Sequence, residues 1–393
     1  MIPVEKNMFS IILAVIYLAF IGLGLPDSLL GAAWPTMVDD INVSLSYAGI
    51  ISMIISAGTI LSSLISDKLV NRLGTGTVTV LSVMLTALAL LGFSVSGSFG
   101  ALCMCAVPYG LGAGAVDAAL NNYVALNYSG RHINWLHCFW GIGASLGPYI
   151  ISFSIGKMRS WRSGYGIISL IQITLTVILA LSLPMWKKDE KVKVTDKRRI
   201  GLGDVFRISG IRQMLFCFFC YCAFESTAGL WASSYLAGCK GWSREVSAGL
   251  ASLFYMGITI GRLVGGFISD RLGDRKMIGY GQTALVIGIM ITLIPINSPN
   301  CCLMGFLLMG IGAAPIYPCI IHSTPLIFGA EISERIIGVQ MASAYVGSTF
   351  VPHLFGIIAE HSSIAAFPIF ILMLVILTAI TTHNLWSGKI IRQ

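Results

Sequence analysis

Long apolar runs separated by short polar turns dominate the chain, and their spacing predicts twelve helices. The runs fall at about 9–33, 46–66, 75–95, 100–126, 134–156, 163–184, 211–237, 246–268, 277–296, 301–324, 334–359 and 364–386. Each is near the roughly 20 residues that a helix needs to cross a bilayer. The series is interrupted once, at 185–210. There Lys187, Lys188, Lys191, Lys193, Lys197, Arg198 and Arg199 mix with Asp189, Glu190 and Asp196. This reads as a solvated linker, and it divides the chain into a six-helix half (1–186), a cytoplasmic linker (187–209) and a second six-helix half (210–393).

Composition agrees with the pattern. The 393 residues are 56% hydrophobic and only 11% charged, with a mean hydropathy of +0.83. A soluble domain carries about 25% charged residues, so an all-α integral membrane protein is expected. The net charge of +8 raises nucleic-acid binding. The basic residues lie in short loops between apolar runs, where membrane orientation accounts for them. With the N-terminus cytoplasmic, 20 of the 25 Lys and Arg residues fall on the cytoplasmic side. Both termini are therefore expected inside a cell's inner (plasma) membrane. No small-residue cleavage site follows the first run, which continues into Pro26-Asp27, so that run is expected to stay as a helix. Of the ten cysteines, Cys217, Cys220 and Cys222 come closest to a metal or redox pattern. Within an apolar run they read as packing residues, and neither a metal nor a cofactor is expected.

Internal repetition sets the architecture. Ile65-Ser66-Asp67-Lys68 matches Ile268-Ser269-Asp270-Arg271 at a shift of 203, and Gly110-Leu-Gly112-Ala113 matches Gly310-Ile-Gly312-Ala313 at 200. Gly143 and Pro148 match Gly347 and Pro352 at 204, and Asp27 is answered by Glu225 at 198. Two parallel six-helix halves related by an axis along the membrane normal form a transporter plan with a binding site near the midplane.

Ionisable groups inside the apolar runs are the candidate chemistry, because a charge at membrane depth is costly and by default functional. Asp117 lies one turn before Asn121, so both present to one helix face, with Asn122 beside them. Asp27 follows Pro26, where a helix breaks or kinks. Glu225 sits mid-run in the seventh helix. His137 can change charge near physiological pH. Trp140, Trp231, Tyr235 and Tyr317 can cover the apolar face of a solute, and His322 and His353 are weaker candidates. The repeat predicts that Asp27 and Glu225 face one cavity, with Asn121 and His137 on one side and Trp231 and Tyr235 on the other. A structural reading stands beside each: Asp117 and Asp27 as local caps, Glu225 as an ion-pair partner, the histidines and aromatics as core. No nucleophile–base pair, metal-ligand cluster or phosphate loop is present, so no enzyme is expected. The run from Gly110 to Gly114 is not preceded by a strand and is no nucleotide fingerprint. The twofold repeat argues against a channel.

Gly266-Phe-Ile-Ser-Asp270-Arg271-Leu-Gly273-Asp-Arg275-Lys276 resembles the loop signature of the major facilitator superfamily. In the first copy Ser63 stands for the glycine, Lys68 for the arginine, and Leu69-Val-Asn71-Arg72 reads as an insertion before Leu73-Gly74. Gly143-Ala-Ser-Leu-Gly147-Pro148 is similar to the superfamily's glycine-proline motif of the fifth helix. The resemblance implies the major facilitator fold working by alternating access; separately, a monomer is expected. It also implies a conformational latch formed by Asp67, Lys68, Arg262, Asp270, Arg271 and Arg275. Gly112-Ala-Gly114-Ala-Val-Asp117-Ala-Ala-Leu-Asn121 and Leu25-Pro26-Asp27-Ser28-Leu29-Leu30 resemble segments of the fucose:proton symporter family. Glu225-Ser-Thr-Ala-Gly-Leu-Trp231 and Ala314-Pro315-Ile316-Tyr317-Pro318 resemble its sodium-coupled glucose relatives. On that resemblance Asp27, Asp117 and Glu225 are the proton-coupling carboxylates, and a small polar solute, foremost a sugar, enters with a proton; sodium is the alternative ion. Where the family carries an amide in the fifth helix, this chain has Trp140, with His137 three residues before it. The alternative is a proton-coupled exporter of drugs or metabolites, which the glycine-proline motif favours.

Overall fold

A computed structural model describes residues 3–128, 130–186, 205–294 and 298–386; the side chains of Asp67, Asn122 and Asp270 lie outside the described set. The described helices are α1 (Pro3–Asp27), α2 (Leu29–Ile41), α3 (Tyr47–Leu73), α4 (Thr75–Val95), α5 (Phe99–Asn127), α6 (Gly130–Met158) and α7 (Trp161–Ser182). They continue with α8 (Ile211–Cys239), α9 (Arg244–Leu272), α10 (Asp274–Leu293), α11 (Pro299–Ala313), α12 (Ile316–Phe328), α13 (Ala330–His361) and α14 (Phe367–Trp386). Twelve spans among the described residues are long and apolar enough to cross a membrane. The most exposed large side chains include Leu64, Val95, Met104, Leu181 and Phe267, each about three-quarters exposed. Such a surface suits acyl chains rather than water.

Two spans are built from broken helices. The first is α1 plus α2, interrupted at Ser28 just after Pro26, and the Ser28 hydroxyl donates to Ala144 O at 2.7 Å. It runs to Ile41, beyond the expected end at 33, and stops where Asn42 takes a left-handed conformation, φ 50°. The tenth is α11 plus α12, interrupted at Ala314-Pro315.

The described residues form two compact units. The first comprises Met1–Val192 with Gly241–Ser252, the second Lys193–Lys240 with Leu253–Gln393. The start of α9 groups with the first unit. There Arg244 pairs with Asp39 and the Ser152 hydroxyl donates to Glu245 O at 3.0 Å. Within the first unit α1 packs on α6, α3 on α5, and α4 on α5 and α7. Within the second, α8 packs on α13 and α14, and α10 on α11 and α14. Glycines make these seams close, as small residues do between membrane helices. Gly110 lies on the Ile55 carbonyl and Gly310 on the Phe254 carbonyl; Gly143 lies on Ile21 O and Gly347 on Phe219 O.

These contacts correct the register of the repeat. Gly58 meets Gly110 as Gly257 meets Gly310, and Gly74 (φ 81°) ends α3 as Gly273 (φ 74°) ends α9. Both pairs stand at a shift of 199. Asn71-Arg72-Leu73-Gly74 is therefore the counterpart of Asp270-Arg271-Leu272-Gly273, and there is no insertion. The shift of 203 suggested by Asp67 and Asp270 is four residues out. Four residues are close to one turn, so both alignments keep the same helix face, and only the glycines decide. Asp67 takes the place of Gly266, not of Asp270. The linker at 187–204 lies outside the described residues.

Candidate functional site

In the first unit the site grows from the α1–α6 seam. Gly24 carries no Cβ and lies directly on the Trp140 backbone, with Ala144 N 2.9 Å from where a Cβ would stand. That approach sets the Trp140 indole beside the last residue of α1. Its Nε1 donates to Asp27 Oδ2 at 2.7 Å, and the Tyr109 hydroxyl donates to Asp27 Oδ1 at 3.2 Å. Both carboxylate oxygens are thus held by neutral donors, while Asp27 itself stays exposed. Two turns beyond Tyr109 on α5, Asp117 accepts from Asn121 Nδ2 at 2.9 Å; the same amide donates to Asp117 O at 3.0 Å. Asp117 is within electrostatic reach of Asp27. His137 stands edge-on to Phe20 at 6.1 Å, one turn before Trp140. Asn122 falls outside the described side chains. Tyr109 was missed by sequence reasoning; its signal is the Pro108-Tyr109-Gly110 step leading into the glycine run.

In the second unit Glu225 of α8 pairs with Arg262 of α9, Oε1 to Nη2 at 3.8 Å, and their side chains are only 18% and 13% exposed. Tyr221, one turn before Glu225, donates to Ala313 O at 3.0 Å at the break between α11 and α12. Arg262, expected in the latch, thus lies against Glu225 inside the span. Lys68, Arg271 and Arg275 are exposed, and the Asp67 and Asp270 side chains lie outside the described set.

Trp231, Tyr235 and His322 take partners of their own away from Glu225, while the Tyr317 ring lies 6.4 Å from that of Tyr221, one turn before Glu225. Trp231 is fully buried, its Nε1 donating to Pro352 O at 2.8 Å. Tyr235 is buried against Phe367, its hydroxyl donating to Thr292 O at 3.2 Å. Tyr317 packs on Phe218, with its hydroxyl 3.2 Å from the Met341 sulfur. His322 is exposed, Nδ1 2.8 Å from the carboxylate of Asp274 at the start of α10. Helix packing claims the first three and a helix terminus the fourth. Among the described residues no group of three or more His, Cys, Asp or Glu is placed to hold a metal.

Comparison with known proteins decides the family. The model described as Major Facilitator Superfamily matches residues 16–249 and 214–387. The chain belongs to the Major Facilitator Superfamily. It is a multi-pass membrane transporter with the all-helical fold expected from the sequence. Among its relatives is the glucose/mannose transporter GlcP of Bacillus subtilis, 22% identical over 375 residues, covering 93% of this chain and 92% of that protein. Bypass of stop codon protein 6 of Saccharomyces cerevisiae is 21% identical over 388 residues, covering 89% and 77%. Among solved structures, the nucleoside transporter NupG aligns with a TM-score of 0.78 at 11% identity, covering 95% and 98%. A bacterial homologue of the human lysosomal transporter Spinster, inward-facing and unoccupied, aligns at 0.73 and 12%, covering 98% of each chain.

Proposed function

We propose that this transporter imports a small polar solute of the sugar class together with a proton, by alternating access, across the plasma membrane with both termini cytoplasmic. One observation carries the reading: Asp27 is an accessible carboxylate held by Tyr109 and Trp140, with the Asp117–Asn121 pair on the adjacent helix. A carboxylate flanked by an indole and a phenol has the chemistry to accept sugar hydroxyls on its oxygens and cover the ring's apolar face. A charge there is expensive to carry through a conformational change in a bilayer. A proton on Asp27 or Asp117 removes the charge and permits the change. The similarity to a glucose/mannose transporter supports the solute class, and the resemblance of the Asp117 and Asp27 segments to the fucose:proton symporter family supports the ion.

Uptake of labelled glucose into vesicles under an imposed pH gradient tests the proposal. Inward proton flow should drive accumulation. Accumulation that follows a sodium gradient instead overturns the choice of ion. Proton-driven depletion points to the exporter that the Gly147-Pro148 motif favours.

A further inference from the structure

A cavity of about 490 Å³ opens between α10 and α14 of the second unit and shares no residue with either carboxylate site. Arg275, His383 and Trp386 line one end of it, and Gly279, Ala379 and Ile380 line the wall below. We propose that this cavity binds an anionic phospholipid, with the phosphate between Arg275 and His383 and the glycerol and first acyl carbons against the apolar wall.

The volume falls within the roughly 300–1,000 Å³ of small-molecule sites, and its place selects a lipid over a soluble solute. Arg275 stands at the start of the span Asp274–Leu293, and His383 and Trp386 at the end of the span Ile364–Trp386. The basic end of the cavity therefore lies at headgroup level, where tryptophan also settles. From Arg275 to Gln282 the helix advances about 10 Å, which carries the cavity from the headgroups into the acyl region. Met373, Ile376, Ile380 and His383 recur on one face of α14 and are all exposed. The wall of the cavity is thus continuous with a lipid-facing stripe. No acidic side chain lines it. The neighbouring Asp274 is engaged by His322 at 2.8 Å, and neither Arg275 nor His383 makes an ion pair among the described residues. Basic pockets of this kind between membrane helices suit anionic headgroups. At the floor Gln282 Nε2 donates to Thr382 Oγ1 at 2.9 Å, and the second hydrogen of that amide is left for an ester carbonyl.

The first unit shows the equivalent place closed. By the register of the glycines Arg275 stands where Gly76 stands, a shift of 199, and Trp386 follows Trp186 by 200 residues. The Trp186 indole lies on Gly76, its Cγ 2.8 Å from where a Cβ would stand, and its Nε1 donates to Ser182 Oγ at 3.0 Å. The end of α7 thereby covers the start of α4. In the second unit an arginine occupies the covered position, and one turn further on Gly279 has nothing within 4 Å of its would-be Cβ. A side chain at Arg275 keeps the Trp386 indole off α10, and the space that Trp186 fills in one unit is left for a ligand in the other.

Binding to the purified, delipidated full-length protein tests the proposal, read as ligand-induced thermal stabilisation across a titration. The probes are phosphatidylglycerol, phosphatidylcholine and glycerol phosphate. Phosphatidylglycerol should bind about tenfold or more tightly than phosphatidylcholine, whose choline brings a cation to the basic end. Glycerol phosphate, which lacks the chains, should bind more weakly than phosphatidylglycerol by about the same factor or more. Arg275→Gln should weaken phosphatidylglycerol about 10- to 100-fold, the range for losing a charge-assisted hydrogen bond. Gly279→Phe fills the cavity with every charge kept, and should weaken it similarly even if Arg275→Gln does not fold. Lys389→Gln/Arg392→Gln, in the tail after Trp386, should leave the preference intact. Phosphatidylcholine bound as tightly as phosphatidylglycerol overturns the proposal, as does phosphatidylglycerol binding that neither Arg275→Gln nor Gly279→Phe weakens. Glycerol phosphate bound as tightly as the lipid overturns it in favour of a soluble phosphate ester. Loss of the preference in the tail variant overturns it by placing the lipid on the tail.

Discussion

Replacing Gly110 by alanine should loosen the first unit, whereas replacing Gly100 in the same helix should not. A Cβ on Gly110 would stand 2.9 Å from the Ile55 carbonyl carbon and 3.0 Å from Ile55 Cα, and nearer still to the carbonyl oxygen. Carbon atoms pack at about 3.5–4.0 Å, so α3 and α5 would have to part by roughly 0.5–1 Å. Parting also strains the hydroxyl bonds that cross this seam. Thr59 Oγ1 donates to Gly110 O at 3.3 Å, Ser63 Oγ to Gly114 O at 3.1 Å and Ser66 Oγ to Ala115 O at 3.3 Å. Overpacking costs about 1–3 kcal/mol, and each weakened interhelical hydrogen bond adds about 0.6 kcal/mol. A total of about 3–5 kcal/mol lowers the melting midpoint of a unit this size by roughly 6–20 °C. Gly100 has nothing within 4 Å of its would-be Cβ. There alanine should be neutral, or stabilising by up to about 1 kcal/mol through helix propensity. The assay heats the detergent-solubilised protein and follows the monodisperse fraction. If the two variants melt within about 2 °C of each other, the close seam is not what holds α3 to α5.

Further outcomes follow from the site geometry. Asp117→Asn should abolish proton-driven accumulation of labelled glucose in vesicles yet preserve exchange at equal concentrations; accumulation at the wild-type level would remove Asp117 from the coupling scheme. Trp140→Phe deletes the 2.7 Å donor to Asp27, worth about 1.5–3 kcal/mol or roughly 10- to 100-fold in solute affinity. Combined with Asp27→Asn it should add almost nothing, and full additivity would show that the two residues act separately. His322→Gln alters an exposed contact to Asp274 and should leave the transport rate within about twofold of wild type, as surface changes usually do; a larger loss would return His322 to the transport path. By the corrected register Arg72→Ala should slow transport more than Lys68→Ala, and the reverse order in the same vesicle assay would restore the shift of 203.

Legibility followed the length scale of the interaction. Apolar runs are local, and they placed the spans to within a few residues except where a broken helix extended one, as α2 does to Ile41. Asp117 and Asn121 lie four residues apart, so their pairing could be anticipated from helix geometry alone. The partnership of Asp27 with Trp140 spans 113 residues and depends on Gly24 bringing α1 onto α6. No periodicity records which glycine meets which carbonyl. The interior aromatics show the same limit. Trp231 and Tyr235 sit inside a span with a polar tip each, a pattern that serves a solute or a neighbouring carbonyl equally well. The neighbour decides, and it is Pro352 O for one and Thr292 O for the other.

The repeat itself shows how one backbone plan carries two chemistries. Gly143 rests on Ile21 O and Gly347 on Phe219 O, and each carbonyl precedes its carboxylate, Asp27 or Glu225, by six residues. The two acids thus occupy the same place in their own units, and only their partners differ. Tyr109 and Trp140, which hold Asp27, correspond to Met309 and Ala344, both buried and neither able to donate. Arg262, which pairs with Glu225, corresponds to Ser63, whose hydroxyl is given to Gly114 O. The glycine seams at Gly110/Gly310 and Gly143/Gly347 are alike in the two units, while the side chains around the two acids differ. The consequence for the proposed cycle is directional. Glu225 already has a guanidinium beside it, so a proton there removes a charge that is already compensated. Asp27 is held by neutral donors alone, and a proton arriving there removes a charge without exposing another. The coupling proton is therefore to be sought on the first unit's carboxylates.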